Sequence, residues 1–98
     1  MTLAHLRTYT IKEGQMDSWL KLFKEKLIPL LDEHDIKVEG TWVSEDETQF
    51  IWVRSYGETE AELEAKEAAF YGSDWWVANV DYVRGHLTER DIKRIQSV

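Results

Sequence analysis

Residues 40–56 read GTWVSEDETQFIWVRSY. Two runs of β-branched and aromatic residues flank the polar Ser44-Glu45-Asp46-Glu47-Thr48, the pattern of a β-hairpin. Placing Ser44 opposite Gln49 sets Val43 against Phe50 and Trp42 against Ile51. Side chains two apart share a face. One face then collects Ile36, Val38, Gly40, Trp42, Ile51 and Val53, apolar throughout and expected to pack on helices. The other collects Lys37, Glu39, Thr41, Val43, Phe50, Trp52, Arg54 and Tyr56, mixing charge with large aromatics.

Outward from the hairpin, helical and strand patterns alternate. Leu3 to Ile11 reads as a first strand, ended by the turn at Gly14. From Gln15 to His34, apolar residues Met16, Leu20, Phe23, Leu27 and Leu30 recur at spacings of three and four, one face of an α-helix. Pro29 inside that run has no N–H and predicts a kink. Beyond Gly57, Thr59 and Glu62 form a capping box for a helix from Glu60 to Phe70. Gly72 breaks it, and Ser73 or Asp74 caps a second piece carrying Trp76, Val80, Val83 and Leu87 at helical spacing. A last strand is expected from Asp91 to Val98. The order β-α-β-β-α-β predicts an α+β, ferredoxin-like plait: one four-stranded antiparallel sheet with helices on one face, as a single domain over residues 1–98.

Composition narrows the function classes. The formal charge is −7, which disfavours nucleic acid and anionic membranes as partners. No cysteine is present, so thiolate chemistry and zinc-thiolate sites are excluded and a reducing, cytoplasmic setting fits. No phosphate loop, nucleophile elbow or close metal-ligand spacing occurs, and no metal or cofactor is expected. Five Trp, four Tyr and three Phe are more aromatics than so small a core readily hides. An uncovered face bearing Phe50, Trp52 and Tyr56 would be a large apolar patch. It predicts a homodimer joined through that face, two sheets closing a shared barrel interior.

The candidate site residues fall on the same strands. His5, Arg7 and Tyr9 share one face of the first strand. Alternation does not decide which way that face points, because Ala4, Leu6, Thr8 and Thr10 opposite are not clearly more apolar. The charges on Lys37, Glu39 and Arg54 favour the barrel interior. There Tyr9 could donate a proton, Arg7 hold an anion and His5 act as base. Trp52, Arg54 and Tyr56 would complete a ligand pocket for a small, partly aromatic anion. The alternative is a filled dimer core with no ligand. His34 and His86 read as helix C-terminal caps, and Trp75-Trp76 as packing.

The run LRTYTIKEGQMDSWLKLFKEKLIPLL resembles the opening of NIPSNAP-type domains, with Glu13 where that family usually has Pro. GTWVSEDETQFIWVRSY and EAKEAAFYGSDWW resemble its hairpin and broken second helix. The resemblance covers nearly the whole chain and implies a dimeric α/β barrel of ferredoxin-like halves. Its wider superfamily includes cofactor-free monooxygenases, polyketide cyclases and haem-degrading enzymes beside members without assigned activity, so the fold alone does not choose among them. For haem, His86 and Trp52 could match two residues of the haem-degrading relatives, but the first strand has no Asn.

Overall fold

A computed structural model describes residues 1–98. Its strands are β1 (Leu3–Ile11), β2 (Lys37–Val43), β3 (Gln49–Gly57) and β4 (Leu87–Gln96). They form one antiparallel sheet in the order β2-β3-β1-β4. Helical segments α1 (Met16–Leu22), α2 (Ile28–Glu33), α3 (Glu60–Tyr71) and α4 (Asp74–Arg84) complete the plait. No helix is long and apolar enough to cross a membrane.

Where Pro29 predicts a kink, the chain instead makes a π turn, Phe23–Leu27, joining α1 to α2. The Ile28 N–H reaches back five residues to the Phe23 carbonyl. The next residue, Pro29, has no N–H to give, so widening the turn there loses little. The capping box holds: the Thr59 hydroxyl accepts from the Glu62 N–H at 3.1 Å. At the hairpin turn, Asp46 Oδ1 accepts from the Ser44 hydroxyl at 2.7 Å and from the Thr48 N–H at 3.1 Å. These bonds hold the Asp46 carboxyl below its usual range.

The last strand begins earlier than expected. Gly85 ends α4, so Leu87 opens β4 rather than closing a helix. As an edge strand exposed along most of its length, β4 lacks the alternation that would announce it.

The hairpin register is as read near the turn, with Val43 opposite Phe50 and Trp42 opposite Ile51. Its two faces are reversed. Phe50, Trp52, Arg54 and Tyr56 are at most 3 % exposed and pack beneath the helices, while Trp42, Ile51 and Val53 lie on the open side. Bulk is the physical reason. Trp19 and Phe23 of the first helical segments need large partners, and Phe23 meets the Phe50 and Trp52 rings edge-on at 4.8 and 4.9 Å. Burying aromatic area there gains more than burying Ile51 and Val53 would. A bulge between Val38 and Gly40 adds Glu39 to β2 and shifts the pleat. Val38 therefore pairs with Arg54 and packs against the core. A homodimer through Phe50 and Trp52 is thus ruled out, because one chain already buries them.

Candidate functional site

The register of β1 with its neighbours sets nine helix-facing positions side by side. Arg54, His5 and Arg94 form one row, Trp52, Arg7 and Ile92 the next, and Phe50, Tyr9 and Arg90 the third. His5, Arg7 and Tyr9 therefore point at the helices. Their expected place between two sheets is a misreading, corrected by the same packing that reverses the hairpin.

Between this surface and the helices runs a cleft with about 30 Å³ of room for water centres, above the roughly 10–15 Å³ that one water needs. Arg7, Tyr9, Trp52 and Arg54 line it, with Trp19 and Leu27 from the first helical segments and Tyr71, Trp76 and Arg84 from α3 and α4. Four expected ligand residues thus meet in one place. His5 and Tyr56 lie outside the lining, behind the arginines.

The polar network is closely bonded. Arg7 Nη1 donates to the Tyr9 hydroxyl at 2.8 Å. Arg7 Nη2 donates to His5 Nδ1 at 3.2 Å and to the Tyr71 hydroxyl at 3.3 Å. Arg54 donates to the Tyr56 hydroxyl at 2.6 Å, the Tyr71 hydroxyl at 2.9 Å and Glu67 Oε2 at 3.1 Å. Tyr56 in turn donates to His5 Nδ1 at 2.9 Å. Both guanidinium groups also lie over Trp52, at 5.9 and 5.5 Å from its ring centroid, a favourable cation–π placement.

The charges do not balance. Arg7 and Arg54 are each 2 % exposed. Glu67 pairs with Arg54, but every acceptor that Arg7 meets is neutral. Its Nε has no partner, and neither do the indole N–H groups of Trp19 and Trp52. Burying an uncompensated cation costs several kcal/mol, and buried polar groups are normally satisfied. Moreover, Arg7, Arg54, Arg84 and Arg90, four of the five arginines in the chain, line this one cleft.

Burial lowers the pKa of His5 from 6.5 to about 4, with Arg7 adding to the effect and Glu67 opposing it. The ring is neutral at pH 7 and accepts at Nδ1. Burial pushes the Tyr56 phenol up to about 12 against the pull of Arg54, so it stays protonated and remains a donor. The unfolded chain binds a proton at His5 below pH 6.5, whereas the folded chain resists until about pH 4. Stability therefore falls as pH drops through that window, by up to about 3 kcal/mol from this group. Urea titrations from pH 7 to 4 should show His5→Gln losing less stability than the parent. Parallel losses would mean that His5 is not held neutral.

His34 Nδ1 bonds the Leu30 carbonyl at 2.9 Å, the capping role expected of it. His86 bonds the Tyr82 carbonyl at 3.0 Å through Nδ1 and the Ser18 hydroxyl at 3.0 Å through Nε2. Both ring nitrogens of His86 are thus bonded within the fold. No three His, Asp or Glu side chains gather as a metal site would require.

Tyr71, Glu67, Arg84 and Arg90 belong to the site or its support but escaped the sequence reading. Glu67 and Tyr71 lie one helical turn apart, a spacing that puts both on one face of α3. Beneath a strand arginine, that pair was the available signal.

No curated protein matches the chain. Among solved structures, a NIPSNAP family protein from Agrobacterium tumefaciens superposes with a TM-score of 0.87 at 17% identity, covering 99% of this chain and 86% of its own. A NIPSNAP domain protein from Burkholderia xenovorans gives 0.85 at 16% identity, covering 98% and 94%. A structure described as an antibiotic biosynthesis monooxygenase gives 0.69 at 15% identity, covering 98% of each chain. These likenesses establish the ferredoxin-like fold. The NIPSNAP family model matches residues 4–97, nearly the entire sequence, and the chain belongs to the NIPSNAP family.

Proposed function

We propose that this protein is a cytoplasmic homodimer that binds a small, partly aromatic anion in the cleft between its sheet and its helices. One observation carries the binding reading: two guanidinium groups are buried side by side, and only that of Arg54 has a carboxylate partner. An anion at Arg7 would supply the missing charge, and the Trp52 and Trp76 rings would flank its apolar body. Hydrogen bonds between ions in such a setting are about twice as strong as neutral ones.

The cleft favours binding over proton transfer. Its 14 lining residues include no carboxylate and no imidazole, so no base stands ready to take a proton from a ligand. An enol or phenol held here would still ionise more readily, since two cations and the Tyr9 and Tyr71 hydroxyls stabilise an oxyanion. That effect would suit cofactor-independent oxygenation or cyclisation of such a ligand. Three of the five tryptophans line the cleft, so titrating the protein with benzoate should quench their fluorescence saturably. Chloride at equal ionic strength should not. No saturable change at millimolar benzoate would refute the anion site.

The dimer rests on the other face of the sheet. Leu6, Ile51 and Val53 are only half-buried there, and Trp42 is 57 % exposed. The Trp42 ring lies across Gly40, where a Cβ would come within 2.6 Å of it. No helix covers this face, and a second copy of the same face is self-complementary about a two-fold axis. Sedimentation at micromolar concentration should show a dimer, and Trp42→Glu a folded monomer. A monomeric parent protein would refute the assembly.

A further inference from the structure

The cleft does not end at its buried arginines. Arg84, Leu87 and Arg90 line it and also line a shallower depression of about 190 Å³ together with Thr88 and Glu89. The two hollows therefore form one trough, running from Arg7 and Arg54 inside to Arg84 and Arg90 at the mouth.

The mouth arginines are unusual for this chain. Acidic residues outnumber basic ones 19 to 12, so carboxylate partners are plentiful. The four ion pairs of the structure nevertheless involve neither Arg84 nor Arg90. Arg94, four residues beyond Arg90 on the same face of β4, does find Glu60. Arg84 instead lies over Trp76 at 5.8 Å, on the cleft wall. Arg90 pairs in register with Tyr9, whose hydroxyl receives Arg7. Glu89 edges the depression, but its register partner is Thr10, so it belongs to the opposite face of the strand.

We propose that the ligand carries two acidic groups on a flat apolar body. The inner acid meets Arg7, the outer acid meets Arg84 and Arg90, and the body lies against Trp52, Trp76 and Leu87. This rests on the reading of the cleft as an anion site and adds a second point of charge recognition to it. The enclosed end has room for little more than a carboxylate-sized head. The remainder of any ligand must therefore extend toward the mouth, where two unpaired cations wait. A ligand with one acid leaves those cations solvated and gains nothing from them.

The probes are benzoate, phthalate, isophthalate and terephthalate, followed by tryptophan fluorescence at fixed ionic strength. The carboxylates of phthalate sit on adjacent ring carbons, so on this proposal it presents both to one end. The expected result is that isophthalate or terephthalate binds at least tenfold tighter than benzoate, and phthalate does not. Arg84→Gln/Arg90→Gln should abolish that advantage, weakening the diacid at least tenfold and benzoate by much less. Both residues are exposed, so the variant should keep the parent's melting temperature, and the single variant Arg90→Gln should lose part of the advantage. Benzoate binding with no tighter diacid would overturn the proposal and leave the inner anion site standing. Equal weakening of benzoate and diacid in the double variant would also overturn it, since the mouth would then act only through its general field. Failure of all four acids to bind would overturn both readings.

Discussion

Trp19→Ala should cost about 3–4 kcal/mol of folding stability. Removing a fully buried Trp costs about 3–5 kcal/mol, counting lost transfer energy and the cavity left behind. Trp19 is 1 % exposed and touches the rings of Tyr9, Phe23, Phe50 and His86 at centroid distances of 5.8 to 6.0 Å. Collapse around the gap would have to move all four. One term works the other way: the indole N–H has no acceptor, and deleting an unsatisfied donor returns about 1 kcal/mol. Hence the lower part of the range. A domain of this size holds only about 5–15 kcal/mol in total, so the variant should unfold at a much lower urea midpoint. Val77→Ala, at a site 64 % exposed, should shift stability by no more than about 0.5 kcal/mol. A loss below about 1 kcal/mol for Trp19→Ala would mean that the helix does not seat on the sheet as described.

Arg7→Met should separate binding from folding. Methionine keeps much of the length and apolar stem of arginine and removes the charge. Folding loses the bonds to Tyr9, Tyr71 and His5, about 1.5 kcal/mol each at the low end for a charged donor on neutral acceptors. It regains the cost of burying a cation with no carboxylate beside it, which is several kcal/mol. His5 and Tyr71 keep other donors, in Tyr56 and Arg54, so only the Tyr9 hydroxyl is left without its donor. The two contributions nearly cancel, and stability should move by no more than about 1–2 kcal/mol in either direction. Anion binding should fall by about 3 kcal/mol, or roughly 100-fold, through loss of a buried charge-assisted contact. Parallel chemical denaturation and fluorescence titration would check both halves. A variant that unfolds while its remaining folded fraction binds benzoate normally would make Arg7 a structural residue.

Much of this fold is legible in the sequence because the patterns that set it are local. Thr59 and Glu62 place a helix start, and Ser44 opposite Gln49 places the hairpin register. The facing of the sheet is not local. It depends on which side the first helical segments settle, and Trp19, which lies beside the stripe of Met16, Leu20 and Phe23, is their central anchor. Charge on Arg54 argued against a helix-covered position. That argument fails because α3 brings Glu67 and Tyr71 over the sheet to receive it, a meeting of residues 13 and 17 apart. The candidate site therefore keeps four of its expected residues and changes sides. Arg90 stayed hidden because the edge strand carries no alternating pattern, and Arg84 because it is an exposed residue at the end of α4.

The π turn at Phe23–Leu27 sets the phase of the helix against the sheet. Trp19, Phe23, Leu27 and Leu31 follow one another at intervals of four, and each is at most 5 % exposed. A regular α-helix turns about 100° per residue, so every such step would overshoot by about 40°, and Leu31 would stand about 120° away from Trp19. The wider turn takes up that excess and keeps all four on the sheet. Removing one residue between Phe23 and Leu27 would let ordinary α turns return Leu27 and Leu31 to within about 20° of the Trp19 direction. Lys24 and Lys26, both exposed, are positions where such a removal disturbs no packing. The segment is geometrically a regular helix with one extra residue, its buried side kept in phase and Leu27 delivered to the cleft wall.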